Sequence, residues 1–163
     1  MNSHSRKHRT RGFSLIELVI VVVIIGIIAA IAIPRMSRGS AGAADSALLG
    51  DLAVLRNAID LYHTEHVGAY PTAGAIVNQL TQYTDPNGDA QAAKDSTHIY
   101  GPYLRSVPPL PVGTLKGKTG ITTTTPAGTD TTAGWLYDAT SGDIVANLAD
   151  AEADVTTKPY NSY

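Results

Sequence analysis

The sequence has no cysteine, little charge and few aromatic side chains. Without cysteine the chain cannot form a disulfide scaffold, a thiolate zinc site or a cysteine nucleophile. Charged residues make up 16% of the chain, against about 25% in an average domain. The net charge of −2 gives no reason to expect nucleic acid as a partner. We also find no nucleophile elbow, phosphate-binding loop or paired-carboxylate site, so the sequence does not predict an enzyme.

The N-terminus combines a basic segment with a long apolar run. Residues 1–12 carry four basic side chains and no acid, and residues 13–33 hold 18 hydrophobic residues and one charge, Glu17. These 21 residues make ~31 Å of helix, close to the ~30 Å hydrocarbon core of a bilayer. Basic residues before such a run keep that end in the cytoplasm. The pattern predicts a single membrane-spanning helix.

Three interpretations of this segment compete. The first is an ordinary secretory signal peptide cleaved after Ala32, and the second is a plain membrane anchor. The third interpretation has to explain why Glu17 is there, because placing a carboxylate inside a membrane helix costs roughly 2.5–3.5 kcal/mol. Glu17 should therefore have a partner or lie at the membrane interface.

The junction GFSLIE at residues 12–17, followed by the apolar run and Pro34, resembles the prepilin leader of type IV pilins and type II secretion pseudopilins. The resemblance implies cleavage by a prepilin peptidase between Gly12 and Phe13, with methylation of the new Phe13 amino group. Glu17 then matches the family glutamate, and Glu17 of one subunit could neutralise the Phe13 ammonium of another in a low-dielectric setting. Glu17 and Pro34 are the predicted assembly residues.

The resemblance also implies an α+β, pilin-like lollipop, in which a long N-terminal helix carries a small antiparallel β-sheet head. Removing the leader leaves 8 basic and 14 acidic side chains, a side-chain charge of −6. The predicted regions are a cleaved leader (1–12), a transmembrane or filament-core helix (13–34), an amphipathic half-helix packed on the head (35–68) and the globular head (69–163).

Proline and glycine modulate the predicted helix. Pro34 should kink or loosen it, and in the family the stretch matching residues 26–34 can lose helicity in the filament. Further along, apolar residues recur at intervals of four and three, which predicts one buried stripe packed on the head: Leu48, Leu52, Leu55, Ile59 and Tyr62. The helix should end near Val67, with Gly68 as its C-cap.

Two segments of the head resemble the major pseudopilin of type II secretion. They are GAYPT at residues 68–72, after Leu61-Tyr62, and YGPYL at residues 100–104. The turn that usually follows in that family is absent at residues 109–113, while the lack of a cysteine pair favours the pseudopilin branch over type IV pilins. We expect a short helix at 73–83, a pair of strands at 135–138 and 143–148, a third strand near 112–115 and an exposed threonine-rich loop at 119–132.

Metal binding has weak support. Major pseudopilins often bind one calcium, which prefers six to eight oxygen ligands, and the candidates here are Asp130, Asp138 and Asp143. Turn chemistry is the alternative for Asp138 and Asp143. His63 and His66 stand at i and i+3 but lack a third ligand, so we expect a solvated helix face. Residues 85–89 (DPNGD) indicate a turn.

The function predicted is a structural subunit, the major pseudopilin, of a type II secretion pseudopilus, a helical filament that drives protein export. One alternative is a type IV pilus subunit for adhesion, motility or DNA uptake. Another is a membrane-anchored periplasmic binding module that never polymerises. The expected location is the bacterial inner membrane, with a cytoplasmic N-terminus and a periplasmic head, and a cell-envelope filament. Expected partners are further copies, the prepilin peptidase, the inner-membrane assembly platform, minor pseudopilins and the membrane.

Overall fold

The structure is a computed structural model that describes residues 13–163, with the side chains of residues 31–39 outside the described part. The chain divides into two compact units, Met1–Gly39 and Ser40–Tyr163, and the second is called the head below. The predicted leader 1–12, its Gly12 cleavage site and the Pro34 side chain lie outside the described residues. The elements are α1 (Leu15–Glu65), α2 (Ile76–Thr81), β1 (Tyr83–Thr84), β2 (Ala90–Gln91), β3 (Gly120–Thr122), β4 (Ala133–Tyr137), β5 (Ile144–Ala146) and the 3₁₀ helix η1 (Tyr160–Ser162).

The head part of α1 buries one stripe of side chains. All five residues predicted from the spacing of four and three are at most 2% exposed. Side chains three and four residues apart lie on one face of a helix, which is why the stripe points into a single core. Burying a large aliphatic side chain contributes about 1.5–3 kcal/mol, so this stripe attaches α1 firmly to the rest of the head. No helix among the described residues is long and apolar enough to cross a membrane.

The C-terminus of α1 lies two residues before the predicted end at Val67. The helix ends at Glu65, and the N–H of Gly68 donates to the carbonyl of His63 at 2.8 Å. This bond from the sixth residue back to the first defines a Schellman motif, in which the residue before Gly68 takes the left-handed conformation. That residue is Val67, with φ of 56°. A β-branched side chain is strained in this region, and Val67 is also 97% exposed.

The head contains two small sheets. Strands β1 and β2 pair antiparallel, and the second sheet has the order β3-β4-β5. The predicted hairpin is confirmed, since β4 and β5 are antiparallel with Trp135 opposite Ala146. The third strand, however, is β3, which runs parallel to β4. It arises from the start of the threonine-rich segment 119–132, so that segment is not a loop throughout.

One face of the β4–β5 hairpin completes the core. Trp135, Tyr137, Ile144 and Ala146 are at most 1% exposed, whereas Leu136 on the opposite face is half-buried. Because side chains alternate along a strand, the hairpin presents one face to the core that it shares with α1 and the other outward. The polar atoms of the two large rings have partners: Trp135 Nε1 donates to the carbonyl of Pro108 at 2.9 Å, and Tyr137 donates from its hydroxyl to the carbonyl of Pro71 at 3.0 Å.

Two predicted elements differ from the structure. The strand expected near residues 112–115 is wrong, because this stretch is a turn in which Gly113 has φ of 69°. Its apolar residues Val112 and Leu115 are buried as loop anchors, which gave the segment a strand-like pattern. The helix expected over residues 73–83 is confirmed but shorter, since β1 begins at Tyr83.

Candidate assembly surface

The start of α1 is fixed by a reciprocal pair of side-chain hydrogen bonds. The N–H of Ser14 donates to Oε2 of Glu17 at 2.9 Å, and the N–H of Ile16 donates to Oγ of Ser14 at 3.4 Å. This is a capping box, in which a serine at the N-cap and a glutamate three residues later satisfy amide groups that the helix leaves unpaired. The sequence signal, serine and glutamate at positions 14 and 17, was present but was not used in the sequence prediction.

Glu17 therefore has a role within its own chain. A carboxylate in the first turn also interacts favourably with the positive end of the helix dipole. The bond to Ser14 uses one of about four acceptor positions of the carboxylate, which leaves capacity for a second donor such as an ammonium group. The pairing of Glu17 with Phe13 of another subunit stays a prediction.

The side chains after Phe13 form a continuous apolar surface. Thirteen large apolar residues between positions 13 and 28 are each at least 49% exposed, and Phe13 is 87% exposed. Soluble monomers rarely expose contiguous apolar patches of more than a few hundred Å², and larger ones mark contact with a membrane or another protein. This stretch is the main candidate for a surface that is covered from outside the chain.

The head has a second, smaller apolar strip on the outward side of α1. Val54 and Leu61 are each about half exposed, at 50%, and Ala47 and Gly50 on the same side are exposed. Positions 47, 50, 54 and 61 follow helical spacing, so they share one face. This strip was not predicted, although its helical spacing is present in the sequence beside that of the buried stripe. We call it the outer strip.

The residues that carry the pseudopilin resemblance gather at the C-terminal end of α1. The rings of Tyr62 and Tyr103 meet edge to face with centroids 5.7 Å apart, and Tyr70 stacks on His63 at 4.2 Å. The hydroxyl of Tyr103 donates to Oε2 of Glu65 at 2.6 Å, and burial together with this bond raises the pKa of Tyr103 well above its ordinary value. These residues thus hold the helix end against the head.

The calcium candidates do not form one ligand set. Asp138 Oδ1 accepts from the N–H of Thr140 at 2.8 Å, and Asp143 Oδ2 accepts from Ser141 at 2.8 Å. Both line a cavity of about 480 Å³ whose lining does not include Asp130. Within residues 13–163, as far as the structure describes them, no three acidic or histidine side chains are grouped to hold a metal. Local bonding, chiefly from Thr140, lowers the pKa of Asp138, as expected for turn chemistry. Calcium binding stays a prediction.

The paired histidines differ from the solvated face that was expected. His63 is half-buried and stacked on Tyr70. His66 is only 4% exposed and its two ring nitrogens lie 2.9 and 3.0 Å from carbonyl oxygens of Tyr62 and Asp85. The prediction was wrong for His66 because the chain beyond Val67 folds back over the end of the helix, which helical spacing alone does not reveal.

Comparison with known proteins adds one finding at the N-terminus. Residues 7–33 match the family model described as the prokaryotic N-terminal methylation motif. No curated protein and no solved structure matches the chain. Proteins with this motif are structural rather than catalytic, and a prepilin-type leader implies a membrane-associated protein of the cell envelope. Over residues 7–33 the chain therefore carries a type IV pilin-like methylation motif.

Proposed function

We propose that the protein is the major subunit of a type II secretion pseudopilus. The observation that carries this proposal is the methylation motif at residues 7–33, which leads directly into the exposed apolar surface of residues 13–28. After cleavage at the motif the apolar run would stay in the mature chain. Before assembly that run would lie in the inner membrane, with the head in the periplasm.

The exposed surface supports polymerisation. Burying each large apolar side chain contributes about 1.5–3 kcal/mol, so thirteen such residues strongly favour a covered state. Lipid would supply that cover before assembly, and other copies of the chain would supply it within a filament. The run at residues 13–28 and the outer strip are different surfaces. A contact between different surfaces is heterologous and continues as an open helical array.

The secretion role is favoured over a pilus by two features of the head. The chain has no cysteine pair to close the disulfide loop of many type IV pilins. The residues that resemble the major pseudopilin hold the end of α1, as with Tyr62 against Tyr103. The further partners of this role are the prepilin peptidase, an inner-membrane assembly platform and minor pseudopilins.

Processing and assembly can be tested together. The full chain is expressed with and without a prepilin peptidase, its N-terminus is analysed by mass spectrometry, and sheared surface material is examined by electron microscopy. We expect a mature chain that begins at methylated Phe13 and forms thin filaments, and a Gly12→Val variant that stays uncleaved. An N-terminus at any other residue would overturn the proposal, and correctly processed protein without filaments would favour the non-polymerising module.

A set of three variants separates helix capping from charge pairing. Glu17→Gln retains a capping-box side chain but removes the charge. Ser14→Ala removes the serine half of the box but retains the charge. Glu17→Ala removes the charge together with the glutamate half of the box. We expect filaments from Ser14→Ala and none from Glu17→Gln. Normal filaments from Glu17→Gln would show that pairing with the Phe13 ammonium is not needed.

Deleting the gene distinguishes the two filament roles. Loss of exoprotein in the medium, restored by the wild-type gene, is the result expected for a pseudopilin. Retained export together with loss of surface adhesion, motility or DNA uptake would instead show a type IV pilus subunit.

A further inference from the structure

A cavity of about 480 Å³ lies on the outward face of the β4–β5 hairpin. Its apolar lining includes Leu136 and Val145, which stand opposite each other in the register and are both half-buried. Asp138 and Asp143, which flank the hairpin turn, line it as well, and the N–H of Asp138 donates to the carbonyl of Asp143 at 2.9 Å. Hydroxyl groups are contributed by Thr123, Thr125 and Thr140. The cavity therefore combines an apolar surface with acidic and hydroxyl groups.

Both carboxylates of this cavity can accept further hydrogen bonds. One oxygen of Asp138 accepts from the N–H of Thr140, and one oxygen of Asp143 accepts from the hydroxyl of Ser141, each at 2.8 Å. A carboxylate has about four acceptor positions, so acceptor capacity remains on both. Among the side chains that the structure describes, the one ion pair is a histidine with an aspartate elsewhere in the head. No cation of the same head therefore lies beside either carboxylate.

This lining suits an aliphatic ammonium group. A lysine side chain has an apolar stem that covers apolar surface and a charged head that needs polar partners. The three N–H donors of the ammonium group match the two carboxylates and the threonine hydroxyls, and the stem matches Leu136 and Val145. An anion would be repelled by the two carboxylates, and a wholly apolar group would cover them without giving them a partner.

The head presents lysine side chains on the loop from Leu110 to Lys118, which we call the basic loop. The N–H of Leu110 donates to the carbonyl of Lys118 at 2.9 Å, and the N–H of Gly117 donates to the carbonyl of Leu110 at 2.8 Å. The N–H and the hydroxyl of Thr114 both donate to the Glu152 carboxylate, at 2.7 and 2.9 Å. These bonds hold the backbone of the basic loop in place, so its exposed side chains are presented from a defined position.

Two lysines of the basic loop are available to another molecule. Lys116 and Lys118 are exposed, and neither ammonium group has an ion pair or a ring contact among the described side chains. The other two lysines of the head, Lys94 and Lys158, lie over tyrosine rings at 6.0 and 3.6 Å. The exposed Arg105 lines a separate cavity. Lys116 lies in the turn of the basic loop, whereas Lys118 forms its closed base, so Lys116 is the cation that projects.

The basic loop and the cavity lie at opposite ends of β4. The carbonyl oxygen of Lys118 is so close to Gly134, near the start of β4, that a Cβ atom there would clash with it. Asp138 follows the last residue of β4, about 13 Å further along at 3.3 Å per residue. The two sites are therefore different surfaces of one head. A contact that joins them between copies is heterologous and continues as an open array.

The charge of the head also favours a contact between these two sites. Residues 40–163 carry 13 acidic and 6 basic side chains, so two heads repel each other unless opposite charges meet where they touch. Lys116 of one head against Asp138 and Asp143 of the next pairs opposite charges at that point. Such pairing fixes the register of a contact and suppresses alternatives that place like charges together.

We propose that the cavity receives the Lys116 side chain of a second copy, with the ammonium group between Asp138 and Asp143. The stem of the lysine lies against Leu136 and Val145. This inference rests on the proposed filament role and deepens it, because it assigns a contact between heads in addition to the apolar surface of residues 13–28. Each head gives one lysine and accepts one, so the contact repeats along the filament.

Cross-linking tests the contact directly, because the chain has no cysteine of its own. Full-length Lys116→Cys and Asp143→Cys chains are coexpressed with a prepilin peptidase, and membranes and sheared filaments are treated with a short bismaleimide. We expect a cross-linked dimer from the mixture, none from either variant alone, and a ladder of multimers from the chain with both substitutions. Arg105→Cys mixed with Asp143→Cys is the matched control and should give no dimer.

The outcomes separate this contact from the filament role. Filaments in the electron microscope without the cross-link would overturn the contact and leave the filament role intact. The cross-link without filaments would support the contact and count against the filament role, and the absence of both would overturn the contact as well. Equal product from the Arg105→Cys control, or a product that joins Asp143→Cys to a different protein, would also overturn the proposal.

Charge reversal tests whether the pairing itself matters. Lys116→Glu and Asp143→Lys should each lower the filament yield about fivefold or more, and the chain with both changes should recover most of it because opposite charges meet again. Arg105→Glu makes the same change of charge elsewhere on the head and should leave the yield unchanged. An equal loss from Arg105→Glu, or no recovery in the double variant, would contradict the proposal. If a reversed chain does not fold, as checked by near-ultraviolet circular dichroism, Lys116→Gln and Asp143→Asn should each lower the yield instead.

Discussion

The same helix contains two apolar stretches with opposite surroundings. Between residues 13 and 28 every large apolar side chain is at least 49% exposed, whereas the stripe from Leu48 to Tyr62 is at most 2% exposed. Both stretches are apolar, but only the second alternates with polar positions at helical spacing. The first stretch is apolar on all sides and exposed, whereas the second needs only one apolar side because the head covers that side alone.

The two ends of α1 differ in a related way. The start is closed by the side chains of Ser14 and Glu17, which satisfy backbone amides without strain. The end places Val67 in a left-handed conformation that suits glycine. The exposed stretch therefore begins from a locally stable cap, and the covered stretch ends in a strained turn that tertiary contacts stabilise.

The largest predicted effect separates a covered leucine from an uncovered one. Leu55→Ala should lower the free energy of unfolding of the head by about 2–5 kcal/mol, because it leaves a cavity in the core. Leu18→Ala, at a position 61% exposed, should change the stability of the head by less than about 0.5 kcal/mol but reduce filament yield. Urea denaturation followed by near-ultraviolet circular dichroism measures the first effect. Equal losses of unfolding free energy in the two variants would show that the exposed and the buried stretch do not differ in their contribution to the stability of the head.

A second prediction concerns the strained end of the covered stretch. Val67→Gly should raise the free energy of unfolding by about 1 kcal/mol, since a left-handed residue other than glycine costs roughly 1–2 kcal/mol and the exposed side chain makes little contact. Val155→Gly is the control, because Val155 is also exposed, at 64%, but has no positive φ. The control should be neutral or destabilised, and a stabilised control would point to a general effect of glycine.

At the other end, Ser14→Ala should weaken the helix start by about 0.5–2 kcal/mol. Hydrogen exchange of the first helical amides should become faster, while exchange in the head stays unchanged. Ser46→Ala is a matched control, since the hydroxyl of Ser46 bonds back to the carbonyl of Gly42 within the helix and caps nothing. Unchanged exchange at residues 15–18 in Ser14→Ala would contradict the capping role.

The smallest predicted effect appears at alkaline pH. Tyr160 donates to Oδ1 of Asp45 at 3.0 Å, and burial followed by this bond raises its pKa to about 12. Because an unfolded tyrosine ionises near pH 10, the stabilisation is complete below about pH 10 and is lost as the pH rises towards 12. Tyr160→Phe should therefore lose less stability than the wild type over this range, as followed by urea midpoints. Equal losses would show that Tyr160 does not contribute.

Much of the helical part could be predicted from sequence because its signals are local. The buried stripe from Leu48 to Tyr62 follows from spacing alone, and so does the start of the apolar run at Phe13. The capping box of Ser14 and Glu17 was equally local but was missed, since Glu17 had been assigned to contacts with another subunit. The strand predicted near residues 112–115 is wrong because Val112 and Leu115 are buried from a turn, and two buried apolar residues so close together resemble a short strand in sequence.

The remaining errors arose from contacts distant in sequence. The parallel pairing of β3 with β4 leaves no local pattern, because its register depends on how the intervening chain crosses between them. The burial of His66 depends on Asp85, 19 residues away. A spacing of i and i+3 predicts which helix face holds His66 and His63, but not what later covers it.

The single tryptophan of the chain, Trp135, is fully buried in β4 with its indole N–H bonded to Pro108. Residues 13–39 contain no other indole, so intrinsic fluorescence excited at the tryptophan band reports only on the interior of the head. Insertion into lipid, processing and polymerisation should leave this emission unchanged as long as the head stays folded. The protein thus has a built-in optical probe that separates loss of fold from loss of assembly.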